Sequence, residues 1–294
     1  MSTESIGAKT LPQISARRRR TDKFMRGTLV VATVIALIPL VLVIYTLIRN
    51  GISQWSVNFF TTDPNGNFFG NPGGIKSALL GSIEIVLLAS VIAIPIGIGV
   101  ALYLVEYGKD SWFANTVRYF IDVMTGVPSI MFGLFIYIVL VLGGVGGGFA
   151  AWKGSVAISL LMLPVVTRSA EVVLLLVPSS LREAALALGA PRWRVVFRVV
   201  LPTAASGLVT GSLLAVARGM GETAPLLFTV STAFGLTFNL SHQMNTMPFL
   251  IYNYIQSPRA VIQGLAWGAA LTLVVIVLIL NIIARAIAGR SRMT

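Results

Sequence analysis

Two arginines stand inside long apolar stretches of this 294-residue chain, Arg168 in LPVVTRSAEVVLLL and Arg218 in SLLAVARGMGE. Each has an acid one helical turn away, Glu171 at i+3 and Glu222 at i+4. A guanidinium offers a planar fork of five N–H donors that matches a carboxylate or another oxyanion in a two-pronged fashion. Two kinds of chemistry fit this pattern. The pairs could brace the structure as ion pairs, or the arginines could mark a path for an anion, with the acids weakening each site enough to release it. Glu84 is a third charge in apolar surroundings and reads as an interior hydrogen-bonding group. Other chemistries are excluded. The chain has no cysteine and one histidine, His242, so thiolate catalysis, disulfides and a histidine-cluster metal site fall away. Gly73-Gly74-Ile75-Lys76-Ser77 approaches a phosphate-cradling loop, but isoleucine stands where a glycine must precede the lysine.

The surroundings of those charges are membrane-like. Apolar residues make up 56% of the chain and charged residues only 11%, against roughly 25% charged in a soluble domain. The expected fold is all-α, a polytopic helical bundle with about six transmembrane spans near 27–48, 75–104, 119–142, 154–177, 201–219 and 262–284. Residues 1–22 read as a disordered basic tail and 23–294 as one transmembrane domain. The first apolar run follows a basic cluster, as in a signal peptide. It is about twenty residues long with no small-residue cleavage site after it, so it reads as a retained span. Pro39, Pro95, Pro128 and Pro164 fall inside spans and read as tolerated kinks in a packed bundle. His242 reads as a solvated outer-loop residue.

Lysines and arginines set the orientation. With the N-terminus inside, the inner segments hold sixteen of them, from Lys9 and Arg17 to Arg182, Arg192 and Arg292. The outer segments hold four, Arg49, Lys76, Lys153 and Arg259. Both termini are therefore expected in the cytoplasm. On this depth scale Arg168, about ten residues from Pro178, lies roughly 15 Å deep, near the bilayer middle. The formal charge of +12 does not point to nucleic acid, because the basic residues sit between apolar spans.

The segment 178–200 should lie on the cytoplasmic face. Ser179 or Ser180 followed by Glu183 suggests a capping box, Glu183 to Leu188 favour helix, and Gly189 with Pro191 stops it. Such a helix is too short to span. Its spacing is specific: Glu183-Ala184-Ala185, three residues, Gly189, nine residues, Val199, one residue, Leu201-Pro202. This resembles the EAA loop of ATP-binding-cassette (ABC) importer permeases, departing only in Val199 for isoleucine. Asp122 to Gly133, Leu163 to Glu171 and Ala217 to Leu227 resemble stretches of the phosphate-specific importers. The last of these and Met247 to Tyr252 are similar to the A-type permease subunit. The likeness covers roughly residues 27–290.

The resemblance implies a type I ABC importer permease that moves inorganic phosphate across the cytoplasmic (inner) membrane. It implies that Glu183, Ala184, Ala185, Gly189, Leu201 and Pro202 couple to an ATPase, and that Arg168, Arg218 and Glu222 line the substrate pathway. The implied partners are a homologous C-type permease forming a heterodimer, two copies of an ATPase subunit, an extracytoplasmic phosphate-binding protein and membrane lipid. ATP and Mg would reside on the ATPase, leaving this chain without a cofactor or enzymatic activity of its own. Three other readings stay open. A permease for sulfate, molybdate or phosphonate shares the EAA loop. A secondary transporter or channel would need no ATPase, but neither internal repeats nor an alternative to the EAA loop supports it. A scaffold would leave Arg168 and Arg218 with packing roles alone.

Overall fold

The computed structural model describes residues 16–65, 72–233 and 235–290. The chain forms two compact units divided after Arg49. The first is taken up by α1, Ala16–Gly51, which continues just past the division. At 36 residues it is about 54 Å long, more than a bilayer core requires. Residues 16–22, expected in the disordered tail, are the first turns of this helix; residues 1–15 lie outside the described residues. Arg17 to Arg20 and Thr21 carry a run of helical backbone bonds onward into an apolar stretch whose side chains are exposed through Tyr45.

The second unit begins with short α2, Val57–Thr61, capped by the Ser56 hydroxyl accepting from the Phe59 N–H. Long α3, Lys76–Leu102, follows and runs on through a π-helical segment, Tyr103–Gly108. Next come α4, Trp112–Gly126, and α5, Ser129–Ile136, the latter extended by a π segment to Leu142. Then α6, Ala151–Leu175, leads to the short α7, Ser179–Ala187. α8, Arg192–Val195, continues through a π segment into α9, Leu201–Met220. α10, Ala224–Thr229, and α11, Met247–Ile255, occupy what the sequence suggested was a loop, and α12, Ala260–Arg290, closes the described chain.

Five helical stretches among the described residues are long and apolar enough to cross a membrane: Arg17–Gln54, Lys76–Gly108, Ala151–Leu175, Arg192–Met220 and Ala260–Gly289. The expected continuous span 119–142 is not one helix. α4 and α5 meet at 102°. The cause is local. Pro128 has no N–H and its ring pushes Val127 out of the helical region, to φ −74 and ψ 130. Ser111 caps α4 earlier than expected, accepting from the Ala114 N–H, so the helix starts at Trp112.

The core sits where α3, α6 and α9 pack. Ile85, Val86, Ala89 and Ala93 of α3 meet Ile158, Met162 and Val166 of α6, and Ala215 and Met220 of α9. Small residues permit the close approach. A Cβ on Gly207 would stand 2.5 Å from Val173 Cγ1, and one on Gly211 would stand 2.7 Å from Ser169 Cβ. Those contacts also show that α6 and α9 run antiparallel: Gly207 lies beside Val173, Gly211 beside Ser169, and Gly219 beside Met162.

A glycine-rich turn spans residues 143–148, with Gly144, Gly146 and Gly147 at positive φ. Its anchor was not apparent from sequence. Lys153, counted among the outer-segment charges, is the third residue of α6 and fully buried. Its ammonium donates to the carbonyls of Leu140, Gly147 and Gly148 at 3.0, 2.6 and 2.6 Å. Three acceptors match its three donors, which is how a buried ammonium stays satisfied without a carboxylate.

Candidate functional site: an exposed short helix and an interhelical charge cluster

α7 lies between the last turn of α6 and the start of α8. The capping box does not form: the N-cap position is Pro178, with no side-chain cap. Ser179 and Ser180 are already inside the first turn, so neither hydroxyl precedes the helix as a cap must. The expected stop at Gly189 does form. Its φ is +80, its N–H donates to Leu186 O at 2.9 Å, and the Ala190 N–H donates to Ala185 O at 3.2 Å. Those two bonds are the Schellman termination.

What fixes α7 in place is Arg182, which the sequence did not single out. Its Nε donates to Glu106 Oε1 at 2.9 Å, Nη1 to Val177 O at 2.6 Å, and Nη2 to Leu174 O at 2.8 Å. Leu174 is in the last turn of α6 and Val177 lies two residues past its end; the Leu174 carbonyl also accepts from the Val177 N–H at 3.3 Å. Glu106 lies in the π segment that ends α3. Glu183, Ala184 and Gly189 are exposed, and Ala185 is half-buried. Leu188 is 89% exposed, an apolar side chain at the helix end with nothing over it. A cavity of about 320 Å³ lies behind α7, lined by Glu106, Lys109, Arg182, Glu183, Leu186 and Arg192 among others. Val200 is buried, and Leu201 and Pro202 follow the π segment Val196–Val200, Leu201 half-buried and Pro202 exposed. The wider π turn ends just before Pro202, which has no N–H to return to the preceding turn.

Deeper in, Arg168 does meet Glu171, with Nη1 donating to Oε2 at 2.6 Å. The pair is half of a larger cluster. Arg168 Nη2 also donates to Asp122 Oδ1, and lies 3.4 Å from the carbonyl of Arg118. Arg118 Nε donates to the other Glu171 oxygen, Oε1, at 2.9 Å. The remaining Arg118 nitrogens reach back to the end of α3, Nη1 to Lys109 O at 2.7 Å and Nη2 to Leu104 O at 3.1 Å. Two positive and two negative charges from α4 and α6 thus interlock with no net charge. The π segment Tyr103–Gly108 and the residue after it touch both this cluster, through Leu104 and Lys109, and the short helix, through Glu106.

Arg218 sits in the last turn of α9. It faces Glu222 with Nε 3.7 Å from Oε1, too far for a hydrogen bond, and its side chain is 56% exposed. Among the described residues its fork makes no hydrogen bond. The two arginines are not brought together. Gly211 is level with Ser169 on the antiparallel α6, so Arg218 lies about six residues, about 9 Å, further along the bundle than Arg168. Glu84, expected to hydrogen-bond in the interior, leaves Oε2 buried without a partner. His242 is exposed, as its loop position suggested.

Comparisons with known proteins converge. The family described as "Binding-protein-dependent transport system inner membrane component" matches residues 93–293. The "Phosphate transport system permease protein PstA" of Yersinia pestis is 39% identical over 279 residues, 94% of this chain and 93% of that protein. "PstA 1" of Mycobacterium tuberculosis H37Rv is 36% identical over 305 residues, 99% of this chain and 97% of that one. Among solved structures, a bacterial alginate ABC transporter in complex with a periplasmic protein aligns over 92% of this chain and 96% of that one, with a TM-score of 0.65 at 13% identity. The MetNI methionine ABC transporter, inward facing, aligns over 74% and 94% with a TM-score of 0.58 at 19% identity. These last two bear on the fold alone.

Proposed function

We propose that this chain, which belongs to the binding-protein-dependent transport system inner membrane components, is the multi-pass permease subunit of an ATP-driven importer of inorganic phosphate. The observation that carries the reading is near end-to-end identity of 36–40% with phosphate transport system permeases. The exposed α7, with Glu183 and Ala184 open to solvent, Ala185 packed toward the bundle and Gly189 ending it, supports a docking role toward an ATPase. Under this reading Glu183, Ala184, Ala185, Gly189, Leu201 and Pro202 couple ATP hydrolysis to the spans. ATP and Mg reside on the ATPase, of which two copies serve one transporter, and this chain catalyses no reaction.

The partner across the membrane is a homologous C-type permease, and an extracytoplasmic phosphate-binding protein delivers the anion. The chain sits in the cytoplasmic membrane with both termini inside, the side where most of its lysines and arginines fall. Arg168, Arg218 and Glu222 serve the anion's path. Arg218 suits a transient contact: its fork is open, and Glu222 at 3.7 Å tempers its charge, so binding stays weak enough for release.

Labelled phosphate uptake at low phosphate tests the reading, in cells lacking this gene with and without it restored. Restored uptake that excess sulfate and molybdate leave unchanged is the expected result. Block by either competitor transfers the substrate to that oxyanion. Arg218→Ala is expected to abolish uptake while the complex still assembles, and normal uptake by that variant removes Arg218 from the path.

A further inference from the structure

Arg168 binds an incoming oxyanion with two prongs only if its terminal nitrogens are available, and both are engaged. Nη1 is held by Glu171, and Nη2 by Asp122. One carboxylate must yield, and the two are not alike. Glu171 is 8% exposed and shared by two arginines, so its departure would strand Arg118 and Arg168 together in a low-dielectric setting. Asp122 is 62% exposed and has Arg168 as its one side-chain partner among the described residues. Its departure leaves a carboxylate that water solvates at once. Asp122 also stands on the last turns of α4, just before the break at Val127 and Pro128.

We propose that Asp122 is an exchangeable counter-anion for Arg168: it occupies the guanidinium when no phosphate is present and gives that place to phosphate during passage, while Glu171 keeps the arginine in position. This rests on the reading of Arg168 as part of the phosphate path. Charge balance favours the exchange. Arg118, Arg168, Glu171 and Asp122 sum to zero, and a singly charged phosphate in place of the Asp122 carboxylate leaves that sum unchanged. The returning carboxylate then competes with the bound anion, which keeps residence short. Asp122 is a specificity and release residue under this scheme, and Glu171 a positioning residue.

The test uses the complete transporter, purified with its partner subunits. Arg168 reactivity toward phenylglyoxal and Asp122 reactivity toward a water-soluble carbodiimide with an amine are read peptide by peptide in a mass spectrometer, with inorganic phosphate or chloride added. In the unaltered protein, phosphate is expected to slow labelling of Arg168 and to speed labelling of Asp122. In D122N, Arg168 should be labelled about tenfold faster than in the unaltered protein, the equivalent of one lost charge-assisted hydrogen bond. Half-protection by phosphate should come at a several-fold lower concentration, and D122E should behave as the unaltered protein does.

Unchanged Arg168 labelling in D122N, faster labelling that phosphate does not suppress, or phosphate that slows labelling of both residues together would each overturn the exchange. The reciprocal measurement on the unaltered protein decides the matter even if D122N fails to assemble. The same preparation is assayed for phosphate uptake in proteoliposomes. Uptake without the reciprocal labelling removes the exchange alone, whereas no uptake removes the reading beneath it.

Discussion

Replacing Arg182 by glutamine tests whether α7 works as a lever clamped to the spans. The helix has nine residues and no side-chain cap, too short to be stable by itself. Its tie to the bundle is concentrated in one side chain that holds Glu106, Val177 O and Leu174 O. Breaking a buried pair by removing one partner costs about 3–5 kcal/mol. Here the side chains are 20% and 13% exposed, and the freed carbonyls can turn toward water, so about 2 kcal/mol is the better figure. That lowers the ratio of clamped to loose α7 by about 30-fold.

The assay is the complete transporter in proteoliposomes with binding protein, reading phosphate imported per ATP hydrolysed. In R182Q the ATPase should keep running while phosphate per ATP falls, by about two- to tenfold according to how firmly the unaltered helix is held. R182K, which keeps the charge but not the three-way fork, should fall between. The double variant E106Q/R182Q should recover part of the thermal stability lost in R182Q, because it removes the stranded carboxylate. The coupling energy from that cycle is expected at about 1–3 kcal/mol. A correctly assembled R182Q with unaltered phosphate per ATP refutes the clamp, whatever happens to its melting temperature.

Two further substitutions probe the scaffold. Gly207→Leu forces a side chain into the 2.5 Å gap beside Val173 and should lower stability by about 1–3 kcal/mol, read as a lower melting temperature in detergent. Lys153→Met removes the ammonium donor from the carbonyls of Gly147, Gly148 and Leu140, the last of which keeps only the Val145 N–H. It should cost about 2–4 kcal/mol and speed amide hydrogen exchange across residues 143–148, leaving exchange in the middle of α3 unchanged.

Much of this architecture was legible because membrane helices announce themselves by length and apolarity. The ends of α7 were half legible. Gly189 stops the helix because only the left-handed region satisfies the last carbonyls, a requirement that one residue type advertises. The serines failed as caps because Pro178 set the start one residue earlier than a cap at Ser179 allows, and proline at a helix start competes with any capping box beside it. The broken span was missed although its signal was present. Gly126-Val127-Pro128 combines a flexible residue, a restrained one and a missing donor, more than the tolerated kink assumed for a lone proline. The burial of Lys153 was not legible, because charge in a sequence carries no mark of burial. What rescues it is a ring of glycine carbonyls contributed by the loop preceding it.

The charge cluster shows where a sequence argument stops and could have gone one step further. Within α6 the i+3 spacing of Arg168 and Glu171 correctly predicted a pair. Within α4, Arg118 and Asp122 stand at i+4, also one positive and one negative charge on one helix face. Two such dyads on neighbouring spans have a low-energy arrangement available: each positive end meets the other helix's negative end. Arg118 reaches Glu171 and Arg168 reaches Asp122 in just this way. No single helix reveals that α4 and α6 are neighbours, so the crossing itself was beyond sequence. The demand for it was not, since four charges in or beside apolar spans cost too much to leave unmatched. The crossing has a functional consequence that the separate dyads lack. It gives Arg168 two carboxylates of unequal exposure, one fixed and one free to leave.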